Sequence, residues 1–219
     1  MKGILFKPDM IKAIREGEKT QTRRVIKPCS KADVVGRNEK GELDNSVPRV
    51  QPDWVFTEAK SRYRVGEPVY IKEAWCYKVD PITAEVLLHE FWYRAENPEV
   101  EKVDGDGCPE QNKDGSMKSP WISPLFMPAR SARTFIQIVS VRPERLQAIS
   151  PEDCVDEGIE KIEYGWQGVA GHNKGKPWAS PISAYADLWD SINPKYPWIS
   201  NLWVWRYEFK LNETLFNHS

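Results

Sequence analysis

Residues 16–28 read EGEKTQTRRVIKP. Just before them come the apolar residues ILF at 4–6 and a run in which Met10, Ile11 and Ile14 recur three or four apart, a spacing that predicts one buried helical face. Pro8 and Asp9 suit the first turn of that helix, and Gly17 can supply the positive φ that ends it. Lys19, Thr20, Gln21, Thr22, Arg23 and Arg24 are then displayed at the mouth of a strand–helix–loop unit. So polar a run is not expected to form a buried strand.

The charge around this stretch is lopsided. Residues 1–31 hold nine Lys or Arg against Asp9, Glu16 and Glu18, in a chain of formal net charge −1. A local excess of that kind marks where an anionic partner would dock, because focusing follows the local field rather than the sum. Farther along, six acids at 152, 153, 156, 157, 160 and 163, relieved only by Lys161, carry the opposite sign and could pair with the N-terminal run.

Composition sets the outer limits. At 219 residues the chain fits one domain spanning 1–219 with insertions at 31–62 and 97–125, both polar and rich in Gly and Pro. Ten Trp is a high count, and four of them fall between 189 and 205. The four Cys form no CxxC pair and the three His offer no ligand spacing, so neither a dedicated zinc site nor any other cofactor is expected. DGDG at 104–107 lacks the terminal Glu of a calcium loop, and GHNKGKP at 171–177 carries Pro177 where a phosphate loop needs Ser or Thr. With no signal peptide and no run of 18 apolar residues, the expected setting is reduced, cytoplasmic and away from membranes.

The remaining elements follow from periodicity. VYIKEAW at 69–75 alternates, placing Val69, Ile71 and Glu73 on one face and turning that carboxylate toward the interior or a cleft. VLLHEFWYR at 86–94 reads as an antiparallel neighbour, and SARTFIQIVSVR at 131–142 as a further strand. Glu144 to Ile149 reads as a short helix, and Ser150-Pro-Glu-Asp153 has the form of a capping box. Residues 164–181 are expected to be irregular. A helix follows from Pro181, with Tyr185, Leu188 and Trp189 on one face, and WVWRYEFKL at 203–211 closes as a strand. The fold class this predicts is α+β: a small mixed or antiparallel barrel flanked by helices, with two loop insertions.

Lys19, Thr22 and Glu73 are the candidate catalytic set: an ammonium, a hydroxyl and a carboxylate able to hold a nucleobase edge or open an amide. The plainer reading makes Lys19 and Glu73 an ion pair and leaves Thr22 to satisfy a turn. Thr20, Arg23, Arg24, Lys27, Lys72 and Trp75 are the candidate nucleic-acid contacts. For the arginines the plainer reading is a salt bridge to the 152–163 acids; for Trp75 it is a place in the core.

GEKTQTRR at 17–24, VGEPVYIKEAW at 65–75, YRAE at 93–96, MPARSART at 127–134, VRPERLQAIS at 141–150 and the DLWDSIN to NLWVWRYEF segment at 187–209 together resemble phage and prophage proteins of the ASCH superfamily. The resemblance implies a PUA-like fold, a phage- or prophage-encoded protein in a bacterial host cell, and a cleft for RNA, DNA or a modified nucleoside. One branch of that superfamily deacetylates N4-acetylcytidine with a K-x-x-T pair and a later strand Glu, which fall here on Lys19, Thr22 and Glu73. Those enzymes are about half this length. Ala129-Arg130 and Asn201-Leu202 also depart from the phage relatives, which have an aromatic at the first place and Asn-Pro at the second. The resemblance thus leaves three functions open: nucleic-acid or nucleoside binding, amide hydrolysis, and phage assembly.

Overall fold

The computed structural model describes residues 1–26, 35–37, 43–48, 61–79, 86–94, 96, 120–170 and 177–212. Lys27, Cys29, Cys108, the DGDG run and nearly all of GHNKGKP lie outside them. The chain forms two compact units, the first made of 1–8, 69–135 and 213–219 and the second of 9–68 and 136–212.

In the first unit, strand β1 (Lys2–Leu5) runs parallel to β5 (Pro68–Lys72), with Gly3 opposite Tyr70. A Cβ on Gly3 would stand 2.5 Å from Lys72 Cε and 2.6 Å from Tyr70 Cζ, so the glycine makes room for the two side chains that lie over it. The strand predicted over 69–75 is broken in two. Glu73 N–H donates to Met127 Sδ at 3.3 Å instead of to a ladder, and at Trp75 the chain takes a new partner, Ile122. β6 (Trp75–Val79) then pairs antiparallel with β7 (Val86–Tyr93), so 86–94 is the expected antiparallel strand, but its partner coincides with the predicted 69–75 strand only at Trp75. Tyr70, Trp75, Met127, Ala132 and Phe135 form the buried cluster of this unit, with Tyr77, Phe91 and Tyr93 packed against it.

The second unit opens with helix α1 (Pro8–Arg15), whose buried residues are Met10, Ile11, Ala13 and Ile14, and Gly17 follows at φ 80°. Next, β2 (Gln21–Val25) pairs antiparallel with β11 (Trp203–Leu211), and β11 pairs antiparallel with β8 (Phe135–Arg145). The polar run expected outside any buried strand is therefore one, with Gln21, Thr22 and Arg23 all buried. β8 continues three residues past the predicted end, and a short 3-10 turn at Leu146–Ala148 replaces the predicted helix.

Ser150 caps helix α2 (Pro151–Asp156) by accepting from the Asp153 N–H at 3.1 Å, the predicted arrangement. The helix ends at Gly158, whose φ of 93° suits a residue without Cβ. Residues 159–168, partly expected to be irregular, form a hairpin of β9 (Ile159–Ile162) and β10 (Gly165–Gly168). Helix α3 (Pro181–Ile192) packs on that hairpin and on α2, burying Ala184, Tyr185, Leu188 and Trp189. A further two-stranded pair, β3 (Val35–Arg37) with β4 (Leu43–Pro48), falls inside the segment read as the first insertion.

The largest sheet has the order β1-β5-β8-β11-β2, mixed and open. The predicted PUA-like barrel is corrected by that order: among the described residues β1 and β2 are edges and no pairing closes the sheet. Closure needs strand number, tilt and stagger to agree across a whole sheet, and periodicity within single strands does not carry that information. Among the described residues, no helix is long and apolar enough to cross a membrane.

Candidate functional site

The second unit holds a buried charge network on one face of β2. Alternation puts Gln21 and Arg23 on the same side, and register sets Arg23 opposite Arg206 and Gln21 opposite Glu208. The first turn and C-terminal end of α2 bring acids to that face. Arg23 donates from Nε to Glu144 at 2.6 Å, from Nη2 to Asp153 at 2.8 Å and from Nη1 to Glu157 at 3.2 Å. Arg206 donates from Nη2 to Asp153 at 2.8 Å, while Gln21 donates to Asp153 at 3.1 Å and to Asp156 at 2.6 Å. The N-terminal positive excess is thus met, at its centre, by the acids of 152–163, and the Arg23 side chain is fully buried among three carboxylates rather than open to a phosphate.

Lys19 belongs to the same network. Its ammonium reaches the Glu157 carboxylate at 2.7 Å and the Glu157 carbonyl at 2.5 Å, capping the C-terminal end of α2, where a cation is favoured. Only 1% of the residue is exposed, and burial pulls its pKa below 10.5 although Glu157 works in the other direction. Tyr185 lies beside Glu157, and burial raises its phenol well above 10.

Thr22 is buried on the opposite face of β2, in register with Tyr207, and Arg24 shares that side in the field of Tyr63 and Tyr207. Thr20 acts through its backbone, donating to the Asp156 carbonyl and accepting from the Phe209 N–H, each at 2.9 Å.

Asp153 gives this network its pH dependence. Burial opposes its charge, but the Gln21 amide and the Arg23 and Arg206 guanidinia outweigh it and hold the carboxyl below its ordinary 3.8. The stabilisation is therefore complete above the unfolded value and is lost as pH falls through the lower folded one. We expect the stability gap between wild type and Asp153→Asn, from urea titrations, to narrow steadily below pH 3.8; a gap independent of pH would contradict the assignment.

Glu73 belongs to the first unit and has a different partner. Arg133 grips it side-on, Nε to Oε1 at 2.9 Å and Nη2 to Oε2 at 2.8 Å. Arg133 Nη1 meets Glu96 at 2.5 Å, and the guanidinium lies 3.9 Å from the centre of the Tyr93 ring. Burial works against the charge of Arg133, but the Glu73 hydrogen bonds and charge raise its pKa above the ordinary value. The Tyr93 hydroxyl donates to the Ser131 carbonyl at 2.9 Å, fixing the ring beneath the cation.

Glu73 is 4% exposed, turned inward as the alternation of 69–73 predicts. Trp75 packs in the buried cluster, edge-on to Tyr77 and Phe91 at 5.2 and 5.4 Å. Lys72 donates to the Leu125 carbonyl at 2.9 Å and lies over Tyr70. Three polar atoms of this unit, Trp75 Nε1, Ser131 Oγ and Thr134 Oγ1, are buried with no hydrogen-bond partner among the described residues. Such atoms cost free energy unless a water or ligand satisfies them.

The structure therefore gives Lys19 and Glu73 separate partners, each within its own unit: Glu157 for the ammonium and Arg133 for the carboxylate. Sequence reading missed Arg133, Tyr93 and Glu157 as individual residues. Arg133 lies inside the quoted MPARSART run and Glu157 inside the acidic stretch, but nothing in their local spacing singles them out. Among the described residues no group of three or more His, Cys, Asp or Glu could hold a metal. The described cysteines, Cys76 and Cys154, are buried thiols that burial pushes up to about 11 and about 12.

No protein-family model matches the sequence, and no curated protein or solved structure matches it either. Together with the open sheet, this removes the support for an ASCH or PUA-like identity.

Proposed function

We propose that the protein binds a nucleobase-bearing small molecule, a modified nucleoside rather than a nucleic-acid strand, at Glu73 and Arg133 in the first unit. The observation that carries this reading is the side-on grip of Arg133 on buried Glu73 above the Tyr93 ring. A nucleobase asks for acceptors and donors side by side and for flat faces to lie against. Each Glu73 oxygen takes one Arg133 bond and keeps a further lone pair, so the carboxylate can still accept from an amino or imino N–H. Tyr77, Phe91 and Tyr93, half-buried around Trp75, supply rings.

A strand of RNA or DNA is the weaker reading because it draws its affinity from phosphate neutralisation, and Arg23 already serves three carboxylates. Equilibrium dialysis against a panel of modified nucleosides and a short oligonucleotide, at low and high salt, tests the choice. Nucleoside retention that is insensitive to salt is expected. Oligonucleotide binding that falls steeply with salt, with no nucleoside retained, would overturn it.

Hydrolysis of an acylated nucleoside is a second reading, resting on the residue types of Lys19, Thr22 and Glu73; against it, Lys19 is ion-paired with Glu157 and Thr22 lies on the opposite face of β2. The dialysis samples decide it. If N4-acetylcytidine yields product, Lys19→Met should abolish turnover; with no product, binding alone stands.

A further inference from the structure

Arg133 has five N–H donors in a rigid plane. Three are taken: Nε and one Nη2 hydrogen by Glu73, and one Nη1 hydrogen by Glu96. The two that remain, one on each terminal nitrogen, have no acceptor among the described residues.

The two carboxylates on this guanidinium are not alike. Glu73 is buried and bound through both oxygens, so leaving it unpaired would strand a charge away from water. The Glu96 side chain is 51% exposed, and its contact with Arg133 is of the kind water can replace at small cost. Glu73 is thus a fixed support for the cation, and Glu96 an exchangeable occupant of its outer end.

Charge then selects what can take that place. With both carboxylates in contact, the cluster already has one negative charge in excess, and Glu73 alone neutralises the guanidinium once Glu96 leaves. An incoming phosphate or carboxylate would restore the excess. A neutral carbonyl oxygen would receive a charge-assisted hydrogen bond with no such penalty.

Deepening the nucleoside reading on which it rests, we infer that the outer end of Arg133 receives an uncharged ring carbonyl of the ligand, in the place that Glu96 holds in the free protein. Glu73 accepts from a ligand N–H, the ligand's ring carbonyl takes the Arg133 Nη1 donor that Glu96 vacates, and Tyr93 holds the guanidinium plane in position. Glu96 competes for the same donors and so lowers the affinity of the free protein.

The test uses three probes on the full-length protein: 2-pyridone as a bare ring carbonyl, cytidine, and inorganic phosphate. Dissociation constants come from ligand-observed NMR. Glu96→Ala should tighten 2-pyridone and cytidine by about threefold to fivefold, the range of an exposed ion pair. Arg133→Lys, which keeps the charge but loses the planar fork, should weaken both by at least about tenfold. Phosphate should bind neither wild type nor Glu96→Ala. Tighter phosphate binding in Glu96→Ala, or unchanged 2-pyridone affinity in both variants, would overturn the inference. Cytidine that binds through Glu73 but ignores both substitutions would sink this inference and leave the nucleoside reading standing. A 2-pyridone response to Glu96 with no nucleoside bound would do the reverse.

Discussion

Replacing Arg23 by alanine is expected to destabilise the protein by about 3–5 kcal/mol, the range found when one partner of a buried ion pair is removed. The side chain is fully buried and serves Glu144, Asp153 and Glu157 at once, so the truncation leaves Glu144 to the exposed Arg142, and Asp153 and Glu157 to Arg206, Lys19 and Gln21. Two of the three carboxylates, Asp153 and Glu157, lie on or just after α2, and their repulsion would push that helix off the face of β2. Urea unfolding should show a lower midpoint with an unchanged slope. A loss below about 1 kcal/mol, the level of a surface pair, would mean that the network is solvated and that Arg23 is free to serve a ligand after all. The same experiment therefore decides whether the basic run near the N terminus is structural cement or a docking rim.

The second large effect concerns Glu73. Glu73→Gln keeps the shape and one acceptor but gives up the charge facing Arg133, and should cost about 1.5–3 kcal/mol of stability, as for a hydrogen bond to a charged group. Glu73→Ala should cost more, because Arg133 would then have only the exposed Glu96. For function the expected loss is larger than either. Nucleoside affinity should fall at least about tenfold in Glu73→Gln, equivalent to about 1.4 kcal/mol, because the carboxamide presents a donor where the ligand offers one too. Isothermal titration on a variant whose fold is verified by circular dichroism separates the two effects. Undiminished affinity would remove Glu73 from the site.

How much of this was legible in the sequence depended on the range of the contact involved. Helix α1, the Ser150 cap and the buried stripe of α3 could be read because each is fixed by neighbours three or four residues away. The strand break after Lys72 could not, since it depends on a Met127 sulfur and an Ile122 backbone some fifty residues on. The buried strand at Gln21–Val25 escaped for a related reason. Its polar residues look unfit for burial until Asp153, Glu157 and Arg206 arrive from other elements to satisfy them.

The inward face of Glu73 was legible from Val69 and Ile71, yet its partner was not. Arg133 follows a 3-10 turn and precedes β8, so no periodicity governs where its side chain goes. Lys19 shows the same limit. Its residue type suggested chemistry, whereas its ammonium closes the end of α2, a helix more than 130 residues away in sequence.

The most direct test of the central claim is a two-dimensional 15N NMR titration with a binding nucleoside, following the Trp75 indole Nε1–H and the Arg133 Nε–H. These donors report the first unit from inside its aromatic cluster and from the cation on Glu73. The account predicts that both signals move together and saturate at one ligand concentration, while the Arg23 Nε–H stays still. Movement of Arg23 with Trp75 and Arg133 unchanged would place the ligand in the charge network of the second unit and contradict the account.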